Sequence, residues 1–140
     1  MMNSSVTVSA ELGLNLVVPD HGSVPLVASL YYSVEDPYAI RMAFHVGTDE
    51  PVEWIFARDL LAVGLEGPAG EGDVQVWPSD DADDELLNIA LSSPFGEAQF
   101  EVPRDSTAAF LGRTYEVVAP GHETDHIDID EELDELLWRA

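Results

Sequence analysis

Four histidines, five arginines and 28 acids are the side chains with which this sequence could do chemistry. His122 and His126 stand four apart with Glu123 and Asp125 between them, a spacing by which one helix face clasps a divalent metal. Gly121 and the polar run after it predict a loop instead, so the reading is a solvated linker and no metal site is expected. The run Asp80, Asp81, Asp83, Asp84, Glu85 starts like a calcium loop. It has Glu85 where the sixth place needs glycine and Leu91 where the twelfth needs glutamate. GPAGEGD at 67–73 has the glycines of a phosphate loop, but it follows a predicted helix, precedes a predicted strand and carries no lysine. Cradling phosphate needs the order strand, loop, helix, so that backbone N–H groups meet the anion. There is no cysteine, and no serine sits in a Gly-x-Ser-x-Gly turn. No catalytic residue, cofactor or metal is expected.

Arg41 and His45 are the cations with the most regular surroundings. In DPYAIRMAFHV, Asp36 to Val46, the even positions Tyr38, Ile40, Met42, Phe44 and Val46 are apolar, and the odd ones alternate alanine with a basic residue. Period two predicts a strand with one face in the core. Four residues of strand put Arg41 and His45 roughly 13 Å apart, too far to act on one atom. With Ala39 and Ala43 between them, the face is expected to be flat and open, a contact surface toward a subunit or a partner. Arg58-Asp59 and Arg104-Asp105 read as helix-start charges tied to neighbouring acids. Near the C-terminus, Leu133, Leu136 and Leu137 share a helix face beside Trp138. That stripe is either a partner anchor or a dock onto the body.

These groups need a scaffold, and the totals supply one. A chain of 140 residues, 46% apolar, is the size of one domain over 1–140 and buries roughly 70% of its unfolded surface. The last stretch, about 122–140, is an acidic extension that ends in a helix over 129–138. No basic-then-apolar N-terminus and no apolar run near the ~18 residues of a membrane span occur, so an intracellular, soluble protein is expected. The absence of cysteine fits a reducing compartment. The net charge of -23, with no lysine at all, removes Schiff-base and phosphate-loop lysine chemistry. It also disfavours nucleic acid and an anionic membrane, and leaves a protein or cationic partner.

The elements follow from periodicity. Val6, Val8, Ala10, Leu12, Leu14, Leu16 and Val18 predict the core face of a first strand, with Thr7, Ser9, Glu11 and Asn15 opposite. VPLVASLYYS at 24–33 is apolar on both sides, as in a central strand or one covered by a helix or a subunit. VEWIF at 52–56 is a strand and 57–67 a short helix. Strands at 73–77, 86–93 and 97–102 follow, with Trp54 and Trp77 as sheet-packing residues. Pro103 opens a helix with Thr107, Phe110, Leu111, Thr114, Tyr115 and Val118 on one stripe. FARDLLAVGL and VPRDSTAAFL, 46 residues apart, start the two helices alike, and this predicts an α+β fold of two antiparallel-sheet-plus-helix halves with a pseudo-twofold repeat.

DPYAIRMAFHV, PVEWIFARDLLAVGL, GEGDVQVWP, LSSPFGEAQFEVP, FLGRTYEVVAPGHE and IDIDEEL together resemble, in order, the SsgA-like sporulation and cell-division proteins of actinomycetes. The resemblance covers about Val6 to Leu137. SSVTVSAELGL and the acidic C-terminal helix look most like the SsgB branch. Ile40, Met42 and Ala43, and the acidity of the tail, depart from the family pattern. The resemblance implies a non-enzymatic adaptor, cytoplasmic and at the cell septum, that helps to recruit or position FtsZ together with an SsgA-type partner. It implies a fold similar to Whirly-type single-strand nucleic-acid binders, assembled as a homo-oligomer, a trimer. That likeness carries an alternative, a single-stranded nucleic-acid binding module, although fold alone does not carry function. Such a module needs a positive groove with stacking aromatics. A cell-wall hydrolase with a carboxylate pair is a third reading, for which spacing singles out no pair.

Overall fold

Alternating apolar positions build one antiparallel sheet, and two helices close over the face those positions share. A computed structural model describes residues 6–20, 22–45, 50–70, 72–79, 85–94 and 96–126. The strands β1 (Val8–Val18), β2 (Gly22–Ser33), β3 (Asp36–His45) and β4 (Val52–Ala57) run straight into helix α1 (Arg58–Gly64). Then β5 (Val74–Pro78), β6 (Leu86–Ser93) and β7 (Gly96–Pro103) run into α2 (Arg104–Val117), and a 3-10 turn follows at Glu123–His126. The spatial order is β4-β3-β2-β1-β7-β6-β5. β7 lies against β1 through Asn15 to Val17, so both series of strands share one sheet. The result is a mixed α+β fold, mostly antiparallel strands in a curled sheet with two helices.

Register explains the core. Leu12 faces Ala28, Leu30 faces Met42, Ile40 faces Phe56, and Ile89 faces Phe100, all on the covered side. Burying each large apolar side chain contributes about 1.5–3 kcal/mol. Phe44 and Phe100 stack at 4.3 Å between ring centroids and 17° between planes, joining the two series of strands across the curl. α2 lies on β1 and β7 and buries Thr107, Phe110, Leu111, Thr114 and Val118, with Tyr115 packed beside them. α1 approaches β5 closely at Gly64, where a Cβ would overlap the Val76 side chain. β2 is an inner strand of the sheet, and its first half leaves Val24 and Val27 exposed.

The expected strands are all present, and two core assignments are corrected. Tyr38 is 47% exposed, because β4 pairs with β3 only as far as Ala57 opposite Ala39 and nothing lies beside Tyr38. Pro37 is buried in its place, its carbonyl accepting the Tyr32 hydroxyl at 2.9 Å. Val6 is 43% exposed, since β1 begins two residues later. α1 ends at Gly64, three residues short of the expected helix. Pro103 is the cap ahead of α2 and not its first residue. His122 and His126 fall at a 3-10 turn where a loop was expected, and His122 Nδ1 lies 3.1 Å from Asp125 Oδ2. The expected C-terminal helix, with Leu133, Leu136, Leu137 and Trp138, and the acids 80–84 lie outside the described residues.

Candidate functional site

The face of β3 that carries Arg41 and His45 is turned away from the helices. Arg41 sits between Tyr31 on β2 and Ile55 on β4, its guanidinium 4.7 Å from the Tyr31 ring centre and its Nε 3.5 Å from Glu53 Oε2. His45 Nε2 lies 2.9 Å from the hydroxyl of Ser29. The fold does not bring the two together. Ala43 and Ser29 between them are buried under their neighbours, so the middle of the face is closed and not open as the alanines had predicted. Ile55, 65% exposed, and Val27, 41% exposed, are its apolar ends.

The helix-start arginines behave unlike the sequence reading, and their partners are a correction to it. Arg58, the first residue of α1, is fully buried. Its Nη1 donates to the carbonyl of Val118 at 2.8 Å and to the carbonyl and hydroxyl of Thr114 at 3.3 and 3.4 Å. Its Nη2 donates to Glu123 Oε2 at 2.9 Å. The guanidinium carbon lies 5.1 Å from the Tyr32 ring centre and 4.9 Å from that of Tyr115. Arg104, the first residue of α2, donates to the carbonyl of Leu65 at 2.8 Å. Each arginine therefore begins one helix and satisfies carbonyls at the end of the other. Cations are favourable at helix C-termini and unfavourable at N-termini. Neither helix has a basic residue in its own last turn. Two arginines at the wrong ends, and two last turns without cations, were the signal available in the sequence.

The electrostatics follow from these contacts. The hydrogen bond from Arg58 holds the Glu123 carboxyl below its ordinary range, helped by backbone N–H donation and opposed by burial. Burial pushes the Tyr32 and Tyr115 hydroxyls up, with Arg58 opposing. The buried pair closes the chain after α2, as far as Glu123, onto the body. Arg113 also donates inward, to the carbonyl of Ser9 at 3.0 Å. All four arginines among the described residues are thus engaged by this chain's own groups, and one of them is inaccessible to solvent. Ser29 and His45 are a hydroxyl and an imidazole in contact on the outer face, whereas the arginine network holds helix ends together.

Known proteins match this chain over nearly all of its length. The family model described as Streptomyces sporulation and cell division protein, SsgA, matches residues 26–123. A sporulation-specific cell division protein SsgB from Thermobifida fusca is 58% identical over 137 residues, 98% of this chain and 99% of that one. The SsgB of Streptomyces coelicolor is 51% identical over 133 residues, 95% and 97% of the two chains. A crystal structure of an SsgA-like sporulation-specific cell division protein from Thermobifida fusca superposes with a TM-score of 0.84, covering 96% of this chain and 98% of the other. A second structure, with a TM-score of 0.82 and 50% identity, covers 90% of this chain and 99% of its own. It is described by the statement that mutations in SsgB correlate to longitudinal cell division during sporulation of Streptomyces coelicolor. The chain belongs to the SsgA family of sporulation and cell-division proteins, and within it to the SsgB branch.

Proposed function

We propose that the chain is a non-enzymatic adaptor of sporulation-specific division, cytoplasmic and placed at the septum, which helps to position FtsZ together with an SsgA-type partner. Its relatives are named for sporulation-specific cell division. The observation that carries the adaptor reading is the engagement of the described arginines by this chain's own groups, Arg58, Arg104 and Arg113 on backbone carbonyls and Arg41 on Glu53 and Tyr31. What remains outside is an acidic surface with apolar patches, the chemistry of protein contact. No described helix is long and apolar enough to cross a membrane. The reciprocal capping by Arg58 and Arg104 supports a pseudo-twofold relation between the halves, and with it the likeness to Whirly-type folds. The single-strand nucleic-acid reading of that likeness is opposed by the same arginines, because a groove for phosphates needs free cations.

Self-assembly belongs to the same proposal. Val27 and His45, exposed at one end of the outer face, are the subunit contact of a homo-oligomer, a trimer; Arg41 faces a partner or a subunit from the other end. Leu133, Leu136, Leu137 and Trp138 are proposed as a second contact, on the acidic segment whose start Glu123 fixes. A pull-down with purified FtsZ and an SsgA-type protein tests this, using the full chain, a chain ending at His126 and one ending at Gly121. Retention of at least one partner by the full chain, weakened on ending at His126, is the expected result. Ending at Gly121 also removes Glu123 and should weaken retention further. A full chain that retains neither protein overturns the adaptor reading.

A further inference from the structure

We infer that the outer edge of β4 is a docking strand for an extended, basic and apolar segment of a protein partner. The inference deepens the adaptor reading and rests on it. β4 ends the sheet, paired with β3 on one side, and no other described backbone group hydrogen-bonds to it. An unpaired strand edge is a template for another strand, and proteins that do not use it guard it with prolines, bulges or inward charges. The opposite edge is guarded. Ala69 and Val76 exchange backbone hydrogen bonds of 2.8 and 2.9 Å across β5, which ends at Pro78 without an N–H. β4 has no proline, no bulge and one charge, Glu53.

Hollows adjoin β4 on both faces of the sheet, on the side away from its free edge. On the helix side, a groove of about 420 Å³ runs inward from Val52 and Trp54 over Phe44 and Leu26 to Leu91 and Phe100. On the other side, a hollow of about 110 Å³ lies beside Ile55, Val6, Tyr31 and Arg41. Successive side chains of a strand point to opposite faces, so a strand added to β4 would set its side chains in alternation beside Val52 and Trp54 on one face and beside Ile55 on the other, while its backbone completes the ladder. Val52 and Ile55, 52% and 65% exposed, are the first contacts on each side.

Charge selects the occupant. The chain carries -23, Glu50 and Glu53 stand on or beside the edge, and Arg41, the arginine nearest to it, is paired with Glu53. Basic side chains on the incoming segment are therefore attracted, whereas a second copy or this chain's own acidic C-terminal segment meets like charge.

The test uses the isotope-labelled full chain and two acetylated, amidated probe peptides, RVRVRVR and EVEVEVE, with amide exchange and chemical shifts read residue by residue. The expected result is protection of amides within 52–57 by the arginine peptide, little effect of the glutamate peptide, and affinity weakened about tenfold or more by Val52→Lys with Ile55→Lys. Both positions are exposed, so melting of the double variant should stay near wild type; if it does not fold, the wild-type map decides alone. Shifts confined to other segments, or unchanged affinity in the variant, overturn the inference. Protection, in the chain alone, of the β4 amides that point away from β3 also overturns it: the occupant is then a second copy if protection rises with concentration, and this chain's own segment if it does not. Failure here leaves the pull-down free to succeed, so the two failures are distinguishable.

Discussion

Arg58→Met is expected to cost about 3–5 kcal/mol of stability, the range seen when one partner of a buried ion pair is removed. For a domain of this size that is a fall in melting temperature of about 10–15 °C. Methionine keeps much of the packing between Tyr32 and Tyr115 but donates nothing. The carbonyls of Thr114 and Val118 and the Glu123 carboxylate, all bonded to the guanidinium in the native chain, lose their donor together. Glu123→Met alone should cost less, because Arg58 retains Val118 and Thr114. The two changes together should fall short of their sum by about 0.5–3 kcal/mol, the coupling expected of residues in one network. Thermal melting of the four proteins measures it. Additive losses would mean that Arg58 and Glu123 do not act as a pair.

The same pair sets an acid limit. Glu123 has a carboxyl held below the ordinary value of 4.5 in the folded chain, so folding favours its charged form. Its contribution to stability is fully present above about 4.5, the unfolded value, and is lost as pH falls through the lower folded value. Tyr32 and Tyr115 act at the other end. Their hydroxyls are raised above 10.0, so their contribution is present below that pH and is lost as pH rises through the raised values. Denaturant unfolding at a series of pH values should show stability falling on acidification, with a shallower fall for Glu123→Gln than for the wild type. An equal slope in both would remove Glu123 as a contributor.

Most elements were legible in the residues because each shows its period plainly. Every second residue from Val8 to Val18 belongs to the covered face, and the stripe from Thr107 to Thr114 on α2 is buried, with Val118 buried just past its end. Tyr38 was misplaced because period two does not say how long a neighbouring strand will be, and β4 stops before reaching it. The role of Arg58 was out of reach for a related reason. Its partners Thr114, Val118 and Glu123 lie 56, 60 and 65 residues away, and only the closure of the sheet brings the ends of α1 and α2 together. The sequence did show that both helices begin alike, and reciprocal capping is the physical content of that likeness. Arg41 and His45 lie four residues apart on β3, each with partners of its own. The closed ground between them depends on Glu53 and Ser29, which belong to other strands.

The central claim is that the cations serve the fold and leave a surface suited to protein partners. A titration of labelled single-stranded DNA with the full chain at low salt tests it most directly, since low salt strengthens any phosphate contact. The account predicts no saturable binding up to micromolar concentrations. Saturable micromolar binding would contradict it.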